Sequence, residues 1–179
     1  MTSHSKSSSE HEVQTSPVSE ALDQKSSNLQ KNLKLAFAEF SEVDVSTSLD
    51  MVVLRVQSAK LSDVCEILKG NEKFSFNYLS CITAIDYEEQ EEMFEVVYHL
   101  VSIEYHHKLA VKVSLPSSNP IVPSVFNIWK SADWFERESH DLFGIKFKGR
   151  ENLQPLLLYE GFEGYPGRKS FPFHEYQEW

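Results

Sequence analysis

The chain has 179 residues, 41% of them hydrophobic, and a formal net charge of −10. This is enough chain for one domain with appendages, and the acid excess argues against a nucleic-acid binder, which needs clustered Lys and Arg. No apolar run approaches the ~20 residues of a membrane-spanning helix, and the N-terminus lacks the apolar stretch of a signal peptide. We therefore expect a cytoplasmic chain that meets a membrane only through a partner.

Residues 1–27 form a leader rich in Ser, Thr, Gln and Glu, with almost no bulky apolar residue. Such a segment cannot offset the entropy of ordering itself, so we predict disorder. The domain is predicted to span residues 28–148. Its first helix starts near Asn28, which suits an N-cap. Apolar residues recur there at helical spacing: Leu29, Leu33, Phe37 and Phe40.

The next elements alternate between strand and helix. Leu49–Val56 is almost wholly apolar and reads as a short strand. Ser58–Lys69 has apolar residues on one side, which predicts a second helix, with Gly70 as its stop. Two further apolar runs, Phe76–Asp86 and Met93–Ile103, flank an acidic connector at 88–92. A short polar connector between apolar runs predicts a hairpin.

The segment from Lys108 to Leu115 alternates strictly between apolar and small or polar residues. One face of the predicted sheet is therefore buried and the other is wetter. Three prolines between residues 116 and 123 then break the sheet. We predict an α+β domain with a small, mostly antiparallel sheet, helices packed on one face, a further helix from near Ser131, and an extended irregular tail over residues 149–179.

Two cysteines, Cys65 and Cys81, are too few for an iron-sulfur cluster, which needs four thiolates at short spacings. Both are predicted to be small buried apolar residues. The chain is therefore expected to carry no redox centre of its own. It also has no Gly-rich phosphate loop and no recognised zinc spacing, so we expect no bound cofactor or metal.

The most distinctive stretch runs from Trp134 to Phe147 and reads Trp-Phe-Glu-Arg-Glu-Ser-His-Asp-Leu-Phe-Gly-Ile-Lys-Phe. It mixes acids and an arginine with aromatic residues along one helix and stops at a glycine. A solvated helix does not need those aromatic residues, and a core helix does not need those charges. The pattern indicates a helix pressed against a partner, with its charges paired across the contact.

A second block, from Gly164 to Pro172, reads Gly-Tyr-Pro-Gly-Arg-Lys-Ser-Phe-Pro. The two blocks in this order resemble the signature of the 30 kDa-type hydrophilic subunit of respiratory complex I, the NADH:quinone oxidoreductase also called NDH-1. Two ordered blocks are far more specific than one short motif. The resemblance runs from about Phe76 to the C-terminus.

The resemblance implies a non-catalytic structural subunit of the peripheral arm, on the cytoplasmic face of the membrane. It implies two partners: the large quinone-site (49 kDa-type) subunit and the subunit with the terminal iron-sulfur cluster. NAD, FMN, quinone and iron-sulfur clusters would belong to partner subunits. The residues implied to contact partners are Trp134, Glu136, Arg137, Glu138, Asp141, Phe143, Gly164, Tyr165, Pro166, Arg168 and Lys169.

The chain departs from the family pattern in two places. After the helix the family usually reads Gly-His-Pro-Asp-Leu-Arg-Arg, whereas this chain has Gly149-Arg150-Glu151-Asn152-Leu153-Gln154-Pro155. In the second block Gly167 replaces Leu and Ser170 replaces Asp. The aromatic tail is expected to wrap over a neighbour, because it has too little periodicity for a second core and would otherwise expose a large apolar patch.

Other functions remain open alternatives. The same architecture serves relatives that oxidise ferredoxin or a deazaflavin, or that evolve hydrogen. A free-standing metal-dependent enzyme could use Glu138, His140 and Asp141, although consecutive helical residues are turned about 100° from each other. The histidines at 99, 106 and 107 match no recognised zinc spacing. Arg168 and Lys169 have the charge to hold an anion, but two bases in a tail more often meet carboxylates.

Overall fold

The computed structural model describes residues 24–49, 51–87, 91–150 and 153–172. The helices lying wholly within these ranges are α1 (Gln24–Ala36), α2 (Leu61–Gly70), which a 3-10 turn at Ser58–Lys60 precedes, and α3 (Ala132–Phe143). The strands are β1 (Val43–Ser48), β2 (Met51–Val56), β3 (Tyr78–Tyr87), β4 (Met93–Ser102), β5 (His107–Pro116), β6 (Ile121–Pro123) and β7 (Lys146–Lys148).

Five strands form one sheet in the order β1-β2-β5-β4-β3. The pairs β1–β2, β5–β4 and β4–β3 are antiparallel, while β2 and β5 are parallel. The parallel pair is possible because α2 and the β3–β4 hairpin lie between its strands in the chain and provide the long crossover that parallel pairing needs. The predicted α+β fold with a mostly antiparallel sheet is confirmed.

The main apolar core lies between one face of the sheet and the three helices. The alternation read in β5 is confirmed, since Leu109, Val111, Val113 and Leu115 are all buried. The opposite face carries a small cluster of Val53, Val97 and Ala110. That face is wetter, as its half-buried ion pair between Lys112 and Glu95 (2.7 Å) also indicates.

β6 and β7 form a separate two-stranded parallel sheet. Lys146 donates its backbone N–H to the carbonyl of Pro120 (2.8 Å), and Ser124 donates to the carbonyl of Lys148 (3.1 Å). The small sheet joins the chain just before α3 to the chain just after it. The segments on both sides of α3 are therefore held together by the β6–β7 sheet.

Some boundaries differ from the sequence predictions. α1 already includes Gln24, ahead of the predicted start near Asn28, so residues 24–27 of the predicted leader are helical. The N–H groups in the first turn of a helix have no intrahelical acceptor, so the start of a helix is weakly specified and hard to locate from sequence. The rest of the predicted leader (1–23), part of the acidic connector (88–90) and the end of the predicted tail (173–179) lie outside the described residues. β1 was not predicted at all. Cys65 is buried as predicted, whereas Cys81 is only half-buried, beside a register shift in β3.

Candidate functional site

The helix of the distinctive stretch, α3, begins after Ser131, close to the predicted start, and ends at Gly144. Gly144 adopts a left-handed conformation (φ 72°) and donates its N–H to the carbonyl of His140 (2.9 Å). Glycine is needed here for this conformation. It is needed also for space, because an added Cβ would lie 2.6 Å from the Tyr165 ring. The end of α3 and the second sequence block are thus in direct contact.

Glu136 is a fully buried acid on the inner side of α3. Its carboxylate accepts hydrogen bonds from the Ser124 hydroxyl (2.7 Å) and the Val125 N–H (2.8 Å), and it lies 3.4 Å from the Arg150 guanidinium. Burial raises the pKa of Glu136 above its ordinary value, and these donors oppose the rise. The side chain therefore joins α3 to the segment after β6 within the protein.

Arg150 connects the start of α3 to the turn after β7. Its guanidinium forms an ion pair with Asp133 as well as with Glu136. It also stacks over the Phe126 ring, at 4.6 Å from the ring centroid. Arg150 stands where the resembled family has its histidine. In this chain an arginine at that position satisfies two acids of the same helix.

Asp141, near the other end of α3, holds the tail. One oxygen, Oδ2, accepts N–H groups from three consecutive residues, Leu156 (2.7 Å), Leu157 (2.9 Å) and Leu158 (3.3 Å). Burial alone would raise the pKa of Asp141, but the backbone hydrogen bonds from Leu157, Leu156 and Leu158 outweigh it and lower the pKa below its ordinary value. The ionised carboxylate is therefore the form that binds the tail.

Arg137 binds the same part of the tail. Its Nε donates to the carbonyl of Gln154 (2.9 Å) and its NH2 group to that of Pro155 (2.7 Å). Its ion-pair partner on the helix is Asp133 at 4.0 Å, one turn earlier, and not Asp141 one turn later. The guanidinium also lies 5.4 Å from the centroid of the Trp134 ring.

The second sequence block fastens the tail to the C-terminal end of α3. Arg168 donates from Nε to the carbonyl of Phe143 (2.9 Å) and stacks over the rings of Phe94 (4.9 Å) and Tyr165 (4.7 Å). A cation at this end of a helix also complements the helix dipole. Gly167 donates its N–H to the carbonyl of Leu142 (2.8 Å), an approach that leaves no room for a Cβ.

The same block reaches the sheet. Lys169 donates its backbone N–H to the carboxylate of Asp86 (2.7 Å), which is buried near the end of β3. Phe143 packs edge-on against Phe94 of β4, with 6.4 Å between the ring centroids. The described part of the tail, residues 153–172, contains turns and bends but no helix or strand. It lies over α3 and the helix-bearing side of the sheet.

The structure places the eleven predicted contact residues differently. The side chains of Glu136, Arg137, Asp141, Phe143 and Arg168 make the internal contacts above. Trp134 is 61% exposed and Tyr165 37%. Gly164 and Lys169 are also exposed, whereas Glu138 and Pro166 are half-buried. In addition to Trp134 and Tyr165, the tail has exposed apolar residues that sequence reasoning did not single out, Leu157 (60%) and Tyr159 (72%).

Four polar and aromatic partners at the site were also missed by sequence reasoning: Asp86, Phe94, Asp133 and Arg150. Asp86, Phe94 and Arg150 become relevant only through contacts with residues far along the chain, so no local pattern marked them. Asp133 had one weak signal, because an acid in the first turn of a helix is common.

The residues proposed for a free-standing metal enzyme do not converge. Asp141 binds the tail N–H groups, and His140 donates from Nδ1 to the carbonyl of Ile145 (2.9 Å). Glu138 lies close enough to Cys81 to help raise the pKa of that thiol, although burial is the larger cause. Within the described ranges no three His, Cys, Asp or Glu residues are grouped as metal ligands would be.

No helix in the described part of the chain is both long and apolar enough to cross a lipid bilayer.

Residues 54–177 match a protein family described as "Respiratory-chain NADH dehydrogenase, 30 Kd subunit". Among individual proteins, the chain is 37% identical over 135 residues to an NADH-quinone oxidoreductase subunit of Rhizobium etli. That similarity covers 75% of this chain and 72% of the relative.

Two solved structures share the fold. One belongs to a membrane-bound sulfane sulfur reductase, described as an archaeal respiratory membrane complex: its TM-score is 0.69 at 27% identity, over 81% of this chain and 86% of the other. The other is a trypsin-resistant fragment of Nqo5, with a TM-score of 0.59 at 29% identity, over 70% of this chain and 98% of the fragment.

Proposed function

The chain belongs to the family of 30 kDa subunits of respiratory-chain NADH dehydrogenase, and from that membership we propose that it is a structural subunit in the peripheral arm of an NADH:quinone oxidoreductase. In this role it performs no redox step. It holds neighbouring subunits in the positions that electron transfer to quinone requires. NAD, FMN, iron-sulfur clusters and quinone are bound by those neighbours.

The observation that carries the proposal is the exposed apolar surface on α3 and the tail. We define the α3–tail face as Trp134, Leu157 and Tyr159, which are 61%, 60% and 72% exposed. Arg137 links its two parts, because it lies against the Trp134 ring and binds the carbonyl of Pro155, two residues before Leu157. Large aromatic and apolar side chains of this kind dominate the energy of stable interfaces.

Charged side chains hold the tail part of this face against α3. Asp141 and Arg137 fix residues 154–158, and Arg168 fixes the next part of the tail to the end of α3. We propose that Arg137, Asp141 and Arg168 contribute to assembly by holding the tail in its docking shape, and that Glu136 contributes by fixing α3 to the segment after β6. The exposed residues, together with Glu138, Gly164, Pro166 and Lys169, then make the contacts.

The partners proposed for this face are the 49 kDa-type quinone-site subunit and the subunit with the terminal iron-sulfur cluster. Attachment to these subunits places the chain at the cytoplasmic side of the membrane without a membrane span of its own. Family membership supports the class of assembly, and the open apolar face supports a large and permanent contact.

A second candidate is the same structural role in a related complex with another electron donor or acceptor. The similarity to a chain of a sulfane sulfur reductase complex, at a TM-score of 0.69, supports this second candidate. Oxidation of ferredoxin or a deazaflavin and hydrogen evolution belong to the same class. The two candidates predict different activities in the assembly that co-purifies with the chain.

The test is affinity purification of the full tagged chain from solubilised membranes of cells that lack their own copy. We expect iron-sulfur proteins and NADH:quinone reductase activity to co-purify. The variant Trp134→Ala/Leu157→Ser/Tyr159→Ser is expected to lose both. Its control is Leu35→Ser/Leu49→Ser, which removes two residues that are 78% and 84% exposed on α1 and after β1.

Equal yields from the two variants would contradict the proposed docking face. A co-purified assembly that reduces quinone with ferredoxin, or that turns over sulfur or hydrogen, and not NADH, would select the second candidate. A wild-type chain that brings no redox protein with it would overturn both.

A further inference from the structure

A concave surface lies beside α3, about a third of a turn around the helix from the α3–tail face. It extends over β7 and reaches Ile121 of β6, His140 of α3 and Leu153 of the tail, with a volume of about 540 Å³. His140 and Trp134 are six residues apart, which turns them ~120° from each other on the helix. We call this concavity the basic groove.

The groove carries positive charge in a chain whose net charge is −10. Lys146 and Lys148 are exposed and alternate along β7, so both point away from the core while Phe147 between them is buried. Neither lysine forms an ion pair with any residue that the structure describes. The charge of Arg150, which also lines the groove, is already taken by Asp133 and Glu136.

The floor of the groove is apolar. Ile121 is 40% exposed and Leu153 is half-buried against the core. His140 adds a polar group to the wall: its Nδ1–H is held by the carbonyl of Ile145, which leaves Nε2 to meet a ligand. An apolar floor beside two ammonium groups that have no ion-pair partner among the described residues matches a ligand that carries both carboxylates and an apolar side chain.

A second, smaller concavity continues the groove. It has a volume of about 320 Å³, shares Lys148, Arg150 and Leu153 with the first, and extends to Phe126 and Asn127. Arg150 forms the boundary between the two, held rigidly by its ion pairs and by stacking on Phe126. Two adjoining concavities suit an extended peptide better than a compact small molecule.

We propose that the basic groove is a docking site for an extended acidic segment of a partner protein, with Lys146 and Lys148 binding its carboxylates and the floor of Ile121 and Leu153 receiving an apolar side chain. This surface is separate from the α3–tail face. Its test needs only the isolated chain, so its outcome is independent of the proposed function.

The probe is a short labelled peptide in which pairs of Glu alternate with single Leu residues. Binding to the full chain is measured by fluorescence anisotropy at low salt, and the site is mapped by chemical-shift changes in the isotope-labelled protein. We expect saturable binding with shifts centred on β7, His140 and Leu153. Replacing Glu by Gln in the peptide should abolish it.

The decisive comparison uses two charge reversals of equal size. Lys146→Glu/Lys148→Glu is expected to weaken peptide binding by about tenfold or more. Lys31→Glu/Lys34→Glu changes two exposed lysines of α1 by the same total charge and is expected to change it less than about twofold. Both positions are on the surface, and circular dichroism checks that both variants fold.

Equal weakening by both variants would mean general electrostatic attraction and would overturn the proposal. So would shifts that map elsewhere. A last experiment measures binding to vesicles that contain phosphatidylglycerol. If the chain binds these vesicles through Lys146 and Lys148 but does not bind the peptide, the groove is a lipid site and the proposal is wrong.

Discussion

Leu54, Val96 and Val111 in the sheet are fully buried apolar side chains, whereas the tail over α3 is held mainly by charged side chains that bind backbone atoms. In the tail, Asp141 alone accepts three N–H groups and Arg137 donates to two carbonyls. The sheet is stabilised by exclusion of water from apolar surface. The tail depends on a few polar anchors, each holding several residues.

This difference affects how each region responds to change. Apolar burial is spread over many residues and is insensitive to pH. Polar anchoring is concentrated, so one substitution can release a long segment, and it depends on the ionisation of the anchor. Polar anchoring suits a surface that takes its final shape against partners, because the anchored segment can loosen without unfolding the domain.

The largest effect is expected in the sheet. Leu54 is fully buried in β2, between its partners Val45 in β1 and Val111 in β5. Leu54→Ala should cost about 3 to 5 kcal/mol, because it loses apolar burial and leaves a cavity among paired strands. Chemical denaturation should show one cooperative transition at lower denaturant. If instead only the amides of residues 153–172 lost protection, sheet and tail would not differ as argued.

A smaller and more local effect is expected at the tail anchor. Asp141→Ala removes the acceptor of three N–H groups and should cost about 1 to 3 kcal/mol. Hydrogen exchange should rise at Leu156, Leu157 and Leu158 and stay unchanged in β4 and β5. Asp141→Asn keeps one acceptor oxygen, so its stability should lie between those of the wild type and Asp141→Ala. Equal exchange in β4 would show that the anchor supports the whole domain.

The same anchor should carry a pH dependence. The folded-state pKa of Asp141 is lowered, so its stabilising contribution is full above the unfolded pKa and is lost as pH falls through the lowered folded value. Glu136 has the opposite sign, since its raised pKa makes the folded state bind a proton more readily than the unfolded chain. The difference in stability between wild type and Asp141→Asn cancels the Glu136 contribution, and it should shrink on acidification.

The two regions also differ in how far sequence predicts them. The sheet has periodic signals: the alternation in β5 and the acidic connector before β4 were enough to predict a mostly antiparallel sheet with helices on one face. β1 escaped because its sequence, Val-Asp-Val-Ser-Thr-Ser, is largely polar, and its strand form follows from pairing with β2. The parallel pairing of β2 with β5 depends on topology, which no local pattern encodes.

At the site, residue identities were visible but their partners were not. Arg137, Asp141 and Arg168 were singled out by the two sequence blocks and the resemblance they carry, and contact with a partner stays a prediction for them. Their hydrogen bonds between α3 and the tail join residues 15 to 25 positions apart. Neither periodicity nor propensity reports such pairs. Gly144 shows the same limit, because its helix-ending role is readable while its contact with Tyr165 is not.

The smallest effect is expected to have the opposite sign. Tyr98 is fully buried in β4, and its hydroxyl has no hydrogen-bond partner among the residues that the structure describes. A buried hydroxyl without a partner costs free energy that folding does not recover, so Tyr98→Phe should raise the free energy of unfolding by about 1 kcal/mol. The change keeps the ring and its packing. A thermal melt against Tyr87→Phe, at a half-buried tyrosine of β3, provides the comparison. A loss of stability in Tyr98→Phe would mean that the hydroxyl is bonded in solution, and that the apolar core of the sheet also contains a polar anchor.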